Sequence, residues 1–168
     1  AHFLNIKVGL GKTLIFLTYL KRRGLTDVHH IVYTMPLSAF GGVLREILEM
    51  GFDVDIVTGN KSISTEERAW ERLGVPSDSE SPHQRVRVVS GVNECLPGRM
   101  TVLKHDTLRK VQEQLEQWMP NAILAIDEVH RCLYSGTQRT GAALALGREA
   151  GELVAFTGTP VLNAGSGK

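Results

Sequence analysis

The sequence predicts an α/β fold in which helices cover both faces of a doubly wound, mostly parallel sheet. Short apolar runs alternate along the chain with longer segments whose apolar residues recur at helical spacing. Glycine, proline or acidic residues close these runs, which is typical of buried strands that end at a loop. The 168 residues, of which 42% are apolar and 22% charged, suffice for a globular core. We therefore predict a single three-layer domain over residues 1–168.

Strands and helices are predicted to alternate, which favours a parallel sheet. The apolar runs predict strands at 3–8, 30–36, 54–57, 86–89, 100–103, 122–126 and 153–156. Helical spacing predicts helices at 13–23, 38–50, 106–118 and 137–149. Ser38 is expected to cap the second of these helices, and Asp106 or Thr107 the third. Residues 61–84 combine a short charged helix with a polar loop rich in serine and proline, and we interpret them as a peripheral insertion.

The overall charge excludes little. A net charge of +1 gives no general electrostatic case for nucleic acid or a membrane surface, although a local basic face remains compatible with it. No apolar run has membrane-spanning length. Cys95 and Cys132 match no metal-ligand spacing, which favours reduced thiols and an intracellular setting in the cytoplasm or nucleus.

A glycine-rich turn, Val8-Gly9-Leu10-Gly11-Lys12-Thr13, joins the first strand to the first helix. Glycines let the backbone turn tightly and direct N–H groups inward, and the helix N-terminus adds partial positive charge. Lys12 can supply a charge for nucleotide phosphates, and the Thr13 hydroxyl can ligate Mg²⁺. The strict phosphate-loop pattern has a glycine where this chain has Ile6, so a plain strand-to-helix turn stays open at this point.

Two adjacent acids, Asp127 and Glu128, follow the fully apolar strand 122–126. In an open parallel sheet, ligands bind at the carboxyl ends of strands. Neighbouring carboxylates there are costly unless a positive group accompanies them, and a magnesium–nucleotide complex would supply one. The alternative is an exposed helix N-terminus, which favours acidic residues by itself.

Five segments in a fixed order resemble the first RecA-like lobe of superfamily 2 DExH helicases and translocases. The resemblance is to chromatin-remodeller-type and large-DNA-virus ATPases in particular. The segments are 9–13 (GLGKT, similar to motif I), 33–38 (YTMPLS, motif Ia), 102–109 (VLKHDTLR, motif Ib), 127–130 (DEVH, motif II) and 157–160 (TGTP, motif III). Single motifs are weak indicators, but five in order are specific, and they cover nearly the whole chain outside 61–84.

The resemblance implies a RecA-like P-loop NTPase that hydrolyses ATP with Mg²⁺. By the resemblance, the ATP-binding residues are Gly9, Leu10, Gly11, Lys12, Thr13 and Leu14. Lys12, Asp127 and Glu128 would be catalytic, with Thr13 and Asp127 as the metal ligands and Glu128 as the general base.

The resemblance also implies a nucleic-acid partner, with DNA favoured over RNA. His130, Thr157, Gly158 and Thr159 would couple the nucleotide state to the bound nucleic acid. The nucleic-acid contacts would come from Thr34, Pro36, Ser38, His105 and Thr107, because hydroxyls and backbone amides suit phosphate contacts.

The resemblance further implies a partner lobe. The arginine finger of such motors normally comes from a second RecA-like lobe, and we expect the chain to be a fragment that hydrolyses ATP poorly by itself. Residues 5–8 lack the acidic residues usual in remodellers, which favours viral members. A guanine-binding Asn-Lys-x-Asp motif is absent from the sequence, which disfavours a small GTPase. An inactive lobe that serves as a nucleic-acid or protein interaction module stays an alternative.

Overall fold

The computed structural model describes residues 2–5, 11–24, 30–59, 85–132 and 138–158. Three groups of predictions lie outside these residues: Gly9 and Leu10 of the glycine-rich turn, Thr159, and the whole of the insertion at 61–84.

The described residues form a seven-stranded sheet in which every neighbouring pair of strands is parallel. The strands are β1 (His2–Asn5), β2 (His30–Met35), β3 (Val54–Val57), β4 (Val86–Val89), β5 (Met100–Lys104), β6 (Ala122–Ile126) and β7 (Glu152–Thr157). Their order across the sheet is β1-β7-β6-β2-β5-β3-β4. The predicted α/β fold class is thereby confirmed.

Five α-helices connect the strands within the described residues. They are α1 (Lys12–Arg23), α2 (Phe40–Glu49), α3 (His105–Leu108), α4 (Gln112–Glu116) and α5 (Gln138–Glu149). Short 3-10 turns lie at Leu37–Ala39, Val92–Glu94, Arg109–Val111, Met119–Asn121 and Val129–Cys132. None of these helices is both long and apolar enough to cross a membrane.

Three local predictions were wrong. The predicted helix at 106–118 is divided into α3 and α4, because Val111 leaves helical geometry with φ −118° and ψ 12°. Ser38 does not cap α2: it lies inside a 3-10 turn, and its Oγ instead faces Arg131 Nη1 at 3.4 Å. Neither Asp106 nor Thr107 caps α3, which begins one residue earlier than Asp106. Apolar spacing predicts which face is buried but not where a helix breaks.

Apolar side chains form two cores, one on each face of the sheet. Alternate residues of each strand point to opposite faces, so Tyr33 faces α1 and α2 while Val32 faces α3, α4 and α5. The first core contains an aromatic group in which Phe16 packs against Tyr33 and Phe156, with ring centroids 5.6 and 5.5 Å apart. This packing holds the first helix over the middle strands.

Gly151 fixes the entry to β7. A Cβ at this position would lie 2.6 Å from the carbonyl oxygen of Pro120, so only glycine fits this close approach. The Gly151 N–H donates to the Met119 carbonyl at 2.7 Å. The amino ends of β6 and β7 are therefore tied together, which aligns their carboxyl ends.

A buried charge network, here called the Asp55 cluster, joins Asp55, Arg87 and Arg99 at β3, β4 and the loop before β5. The Asp55 carboxylate has no exposed side-chain surface and accepts from Arg99 Nε at 2.8 Å and from Arg87 Nη1 at 3.3 Å. The Leu96 N–H donates to the same carboxylate at 2.7 Å. Arg99 Nη2 donates in addition to the Val54 carbonyl at 2.9 Å. The cluster therefore secures the edge of the sheet that is far from β1.

Candidate active site

The described part of the glycine-rich turn, Gly11 to Thr13, lies at the start of α1. Gly11 lies in the left-handed region, with φ 71° and ψ 33°, and its carbonyl accepts the Ile15 N–H at 2.9 Å. Glycine adopts this conformation without steric cost, so the chain can turn sharply into the helix. Lys12 and Thr13 follow directly, with the side chain of Thr13 buried and that of Leu14 exposed.

The two acids stand where β6 ends. The Asp127 N–H continues the sheet by donating to the Thr34 carbonyl at 2.8 Å, and the side chain of Asp127 is buried. Glu128 then adopts φ 47°, a left-handed conformation that is strained for a residue with a side chain. Such strain costs about 1–3 kcal/mol and clusters at functional sites. The Glu128 N–H donates to Asp127 Oδ1 at 2.9 Å, which fixes the Asp127 carboxylate against the Glu128 backbone.

Lys12 contacts both acids, and Glu128 lies 116 residues further along the sequence. Its Nζ lies 2.7 Å from Glu128 Oε1 and 3.9 Å from Asp127 Oδ1. All three side chains are mostly shielded, with exposed fractions of 11% for Lys12, 8% for Asp127 and 17% for Glu128. The structure thus brings the glycine-rich turn and the paired acids into one site.

The two acids differ in how easily they ionise. Burial raises the pKa of Asp127, the charge of Lys12 opposes this, and the charge of Glu128 adds to it, so the pKa ends above its ordinary value. Burial also raises the pKa of Glu128, but hydrogen bonds from Lys12 and from the Gly158 N–H outweigh it and leave the pKa below its ordinary value. One lysine therefore compensates Glu128 well and Asp127 incompletely.

The oxygen atoms at this site fit a magnesium ion. Mg²⁺ prefers hard oxygen ligands and is usually held by one or two protein groups together with substrate phosphates. Asp127 and Thr13 supply a carboxylate and a hydroxyl, and burial raises the pKa of Asp127 by more than the charge of Lys12 lowers it, so a further positive group would stabilise this carboxylate. A divalent cation would provide it.

Glu128 also contacts residues that were predicted to couple the nucleotide state to the bound nucleic acid. Its Oε2 lies 3.2 Å from His130 Nδ1, and the Gly158 N–H donates to the same oxygen at 3.4 Å. His130 Nδ1 lies 3.0 Å from Thr157 Oγ1. Two of the four predicted coupling residues, His130 and Gly158, thus contact Glu128, and Thr157 contacts His130. The fourth, Thr159, lies outside the described residues.

The five predicted nucleic-acid contacts divide into buried and exposed groups. Thr34, Pro36, His105 and Thr107 are buried, and Thr34 Oγ1 lies 2.9 Å from His105 Nδ1, which joins the carboxyl ends of β2 and β5. Only Ser38 is exposed. In this conformation the buried four shape the edge of the sheet rather than offer side chains to a ligand.

Exposed basic side chains near this edge were missed by the sequence analysis. Arg131 lies in the turn after β6, beside Ser38, and Arg109 and Lys110 lie in the turn after α3. Their signal was available, since Arg131 directly follows the DEVH segment and Arg109 closes the VLKHDTLR segment.

Comparison with known proteins finds similarity to a solved structure. No family model matches the sequence, and no curated protein matches it. The chain is similar in structure to the Sulfolobus solfataricus SWI2/SNF2 ATPase core in complex with dsDNA, with a TM-score of 0.61 and 17% sequence identity. The match covers 97% of this chain and 28% of the other, so this chain spans little more than a quarter of that protein. At this identity the likeness shows the fold, which is RecA-like.

Proposed function

We propose that this chain is the ATP-binding lobe of a superfamily 2 motor that couples ATP hydrolysis to movement on DNA or RNA. The observation that carries the proposal is the contact of Lys12 with Glu128 and Asp127, at 2.7 and 3.9 Å, beside the N-terminus of α1. The similar SWI2/SNF2 ATPase core, which was solved with dsDNA, supports the proposal.

The nucleotide would bind over the first turn of α1. Phosphates at a helix N-terminus are stabilised by free N–H groups and by the helix dipole. Lys12 would turn from the two acids to the β- and γ-phosphates, since an anionic ligand competes for its charge. Thr13 and Asp127 would hold Mg²⁺, which neutralises phosphate charge when it is bound. The remaining phosphate contacts would come from Gly9, Leu10, Gly11 and Leu14.

Glu128 is proposed as the general base for hydrolysis. Its lowered pKa keeps the carboxylate ionised at neutral pH, so it can orient a water molecule and accept its proton. As water attacks the γ-phosphorus, the bond to the bridging oxygen breaks and ADP and phosphate form. His130 and Gly158 hold the second oxygen of Glu128, which would make its position sensitive to movements of the turn after β7. An arginine from a second RecA-like lobe would complete the site.

Nucleic acid would bind along the carboxyl edge of β2, β5 and β6. Ser38 and Arg131 are exposed there, and Arg109 and Lys110 extend the edge with two more cations. Cations and hydroxyls of this kind contact phosphates and position the strand without reading its sequence. We propose that these residues, rather than the buried Thr34, His105 and Thr107, make the direct contacts, while the buried residues shape the edge.

Phosphate release by the full-length protein, with and without double-stranded DNA or single-stranded RNA, tests the proposal, because the second lobe would complete the site. Lys12→Ala and Glu128→Gln are expected to lower the stimulated rate by about 100-fold or more, because each removes a group that acts in the transition state. Lys21→Ala is the matched control, since Lys21 is an exposed lysine at the other end of the same helix. Arg131→Ala is expected to raise the nucleic-acid concentration needed for half-maximal stimulation without changing nucleotide affinity.

Two results would count against the motor. Equal background rates in wild type and in both site variants would leave an interaction module as the better account if nucleic acid still bound. Phosphate release that depends on Lys12 and Glu128 but does not change when nucleic acid is added would remove the coupling part of the proposal and keep only ATP hydrolysis.

A further inference from the structure

Tyr33 places a hydroxyl group beneath the candidate site. The side chain is fully buried, and its ring packs against Phe16 and Phe156 with centroids 5.6 and 6.2 Å away. Among the described residues, the Tyr33 hydroxyl finds no hydrogen-bond partner. Buried hydroxyl groups nearly always have one, because an unpaired polar group in an apolar interior is costly.

The surroundings of this hydroxyl belong to the site. Burial raises the pKa of Tyr33 well above its ordinary value, the charges of Asp127, Glu46 and Glu128 raise it further, and the Thr13 side chain opposes them. The phenol therefore stays protonated and is available as a hydrogen-bond donor. Thr13 is close enough to act on the phenol as a hydrogen-bonding group, but the Tyr33 hydroxyl does not reach full hydrogen-bond geometry with Thr13 or with any other described residue in this conformation.

The present conformation explains why the pairing is incomplete. Lys12 is held against Glu128 at 2.7 Å, and Thr13 is the next residue of α1. A nucleotide that draws the lysine away from the acids would also shift the first turn of α1, to which Lys12 and Thr13 both belong. Thr13 is the buried side chain of this turn, so such a shift would move a group that acts on the Tyr33 hydroxyl.

We propose that Tyr33 is a positioning residue that donates its hydroxyl hydrogen to the Thr13 oxygen when nucleotide and Mg²⁺ bind. This inference rests on the proposed ATP site. With its oxygen accepting from Tyr33, Thr13 keeps its own hydrogen for Asp127 and keeps a lone pair for the metal. The tyrosine would thus orient a metal ligand from behind, as groups around metal sites commonly do.

The test compares Tyr33→Phe with wild type by the binding of a fluorescent ATP analogue in Mg²⁺ and in EDTA. Phenylalanine keeps the ring packing and removes only the hydroxyl. The dissociation constant in Mg²⁺ is expected to rise about threefold to tenfold, which corresponds to one lost hydrogen bond, and the constant in EDTA to stay within about twofold. Tyr19→Phe is the matched control, because the Tyr19 hydroxyl donates to Glu152 on the exposed side of the same helix.

Thermal melting without nucleotide separates positioning from a structural role. Because the hydroxyl has no partner among the described residues in this conformation, Tyr33→Phe is expected to melt at the wild-type temperature or slightly above it. The inference is overturned if affinity in Mg²⁺ is unchanged, if it falls equally in EDTA, or if Tyr33→Phe melts well below wild type.

Lys12→Ala makes failure of the inference distinguishable from failure of the ATP site. If wild type and Lys12→Ala bind the analogue equally poorly, the ATP site itself is wrong and the inference falls with it. If Lys12→Ala loses binding and Tyr33→Phe does not, only the role of Tyr33 is wrong.

Discussion

The same sheet contains two buried groups of charges that are built in opposite ways. In the Asp55 cluster, one carboxylate receives two guanidinium groups and a backbone N–H. In the candidate site, two carboxylates share the ammonium group of Lys12. The first group has more positive charge than its one buried anion needs, whereas the second has too little positive charge for its two. A complete network holds strands together, and an incomplete one can accept a cation or a nucleotide.

Backbone conformation shows the same difference. Asp55 lies in the middle of β3 and is paired in register with Arg87 and Thr101 on the neighbouring strands. Glu128 lies just beyond β6 at φ 47°. Regular strand geometry stabilises the first group, while surrounding contacts must maintain the strained turn of the second. We infer that the Asp55 cluster contributes to stability and that the candidate site lowers it.

The largest expected effect is the loss of the Asp55 carboxylate. Asp55→Ala leaves Arg87 and Arg99 without their buried partner, and we expect the free energy of unfolding to fall by about 3–5 kcal/mol. Urea unfolding at pH 7 measures the change.

Asp53→Ala is the matched control for this variant. Asp53 pairs with Arg85 and Arg99 at 3.2 and 3.4 Å, but 46% of its side chain is exposed. Exposed pairs contribute at most about 1 kcal/mol, so the control should stay close to wild type. Equal losses in the two variants would contradict the role assigned to burial.

A smaller effect of opposite sign is expected at the candidate site. The raised pKa of Asp127 means that its ionised form is disfavoured in the folded chain relative to the unfolded chain. Asp127→Asn keeps an oxygen to accept the Glu128 N–H, removes the charge, and is expected to stabilise the fold by about 1 kcal/mol. The measurement is urea unfolding at pH 7 without nucleotide, and a clear loss of stability would contradict an under-compensated site.

The smallest expected effect is the pH dependence of the stability gained by Asp127→Asn. Because the folded-state pKa of Asp127 is raised, the folded chain binds the proton more readily, and wild type regains stability as the pH falls through this pKa. The difference between Asp127→Asn and wild type should therefore shrink from pH 7 towards the ordinary aspartate pKa of about 3.9.

Glu128→Gln should change the stability at pH 7 in the opposite direction, by lowering it. The folded-state pKa of Glu128 is lowered, so its stabilising contribution is present above the ordinary glutamate value and is lost as the pH falls further. Unfolding curves of both variants between pH 7 and about pH 3, with wild type measured alongside, compare the two acids directly, because this range extends below the ordinary glutamate pKa of about 4.3. Parallel curves for the two variants would show that the acids are not differentiated as described.

Much of the fold could be predicted because it depends on local patterns. All seven predicted strands are present, since short apolar runs such as 122–126 have few other ways to be buried. The junction of Lys12 with Asp127 and Glu128 could be anticipated as well, because parallel strands place their carboxyl ends on one edge. The break at Val111 and the uncapped start of α2 depend on packing between elements, which local spacing does not encode.

The sequence by itself determined the parallel α/β architecture and the residue types of the candidate site, because strand burial and glycine turns are properties of short segments. Only the tertiary structure decided the charge balance of that site, in which one lysine compensates Glu128 more fully than Asp127. Tertiary structure alone also showed that Thr34, His105 and Thr107 are buried and that the Tyr33 hydroxyl is buried without a hydrogen-bond partner among the described residues. Burial and pairing depend on residues that are distant in sequence, and these properties decide what each side chain can do.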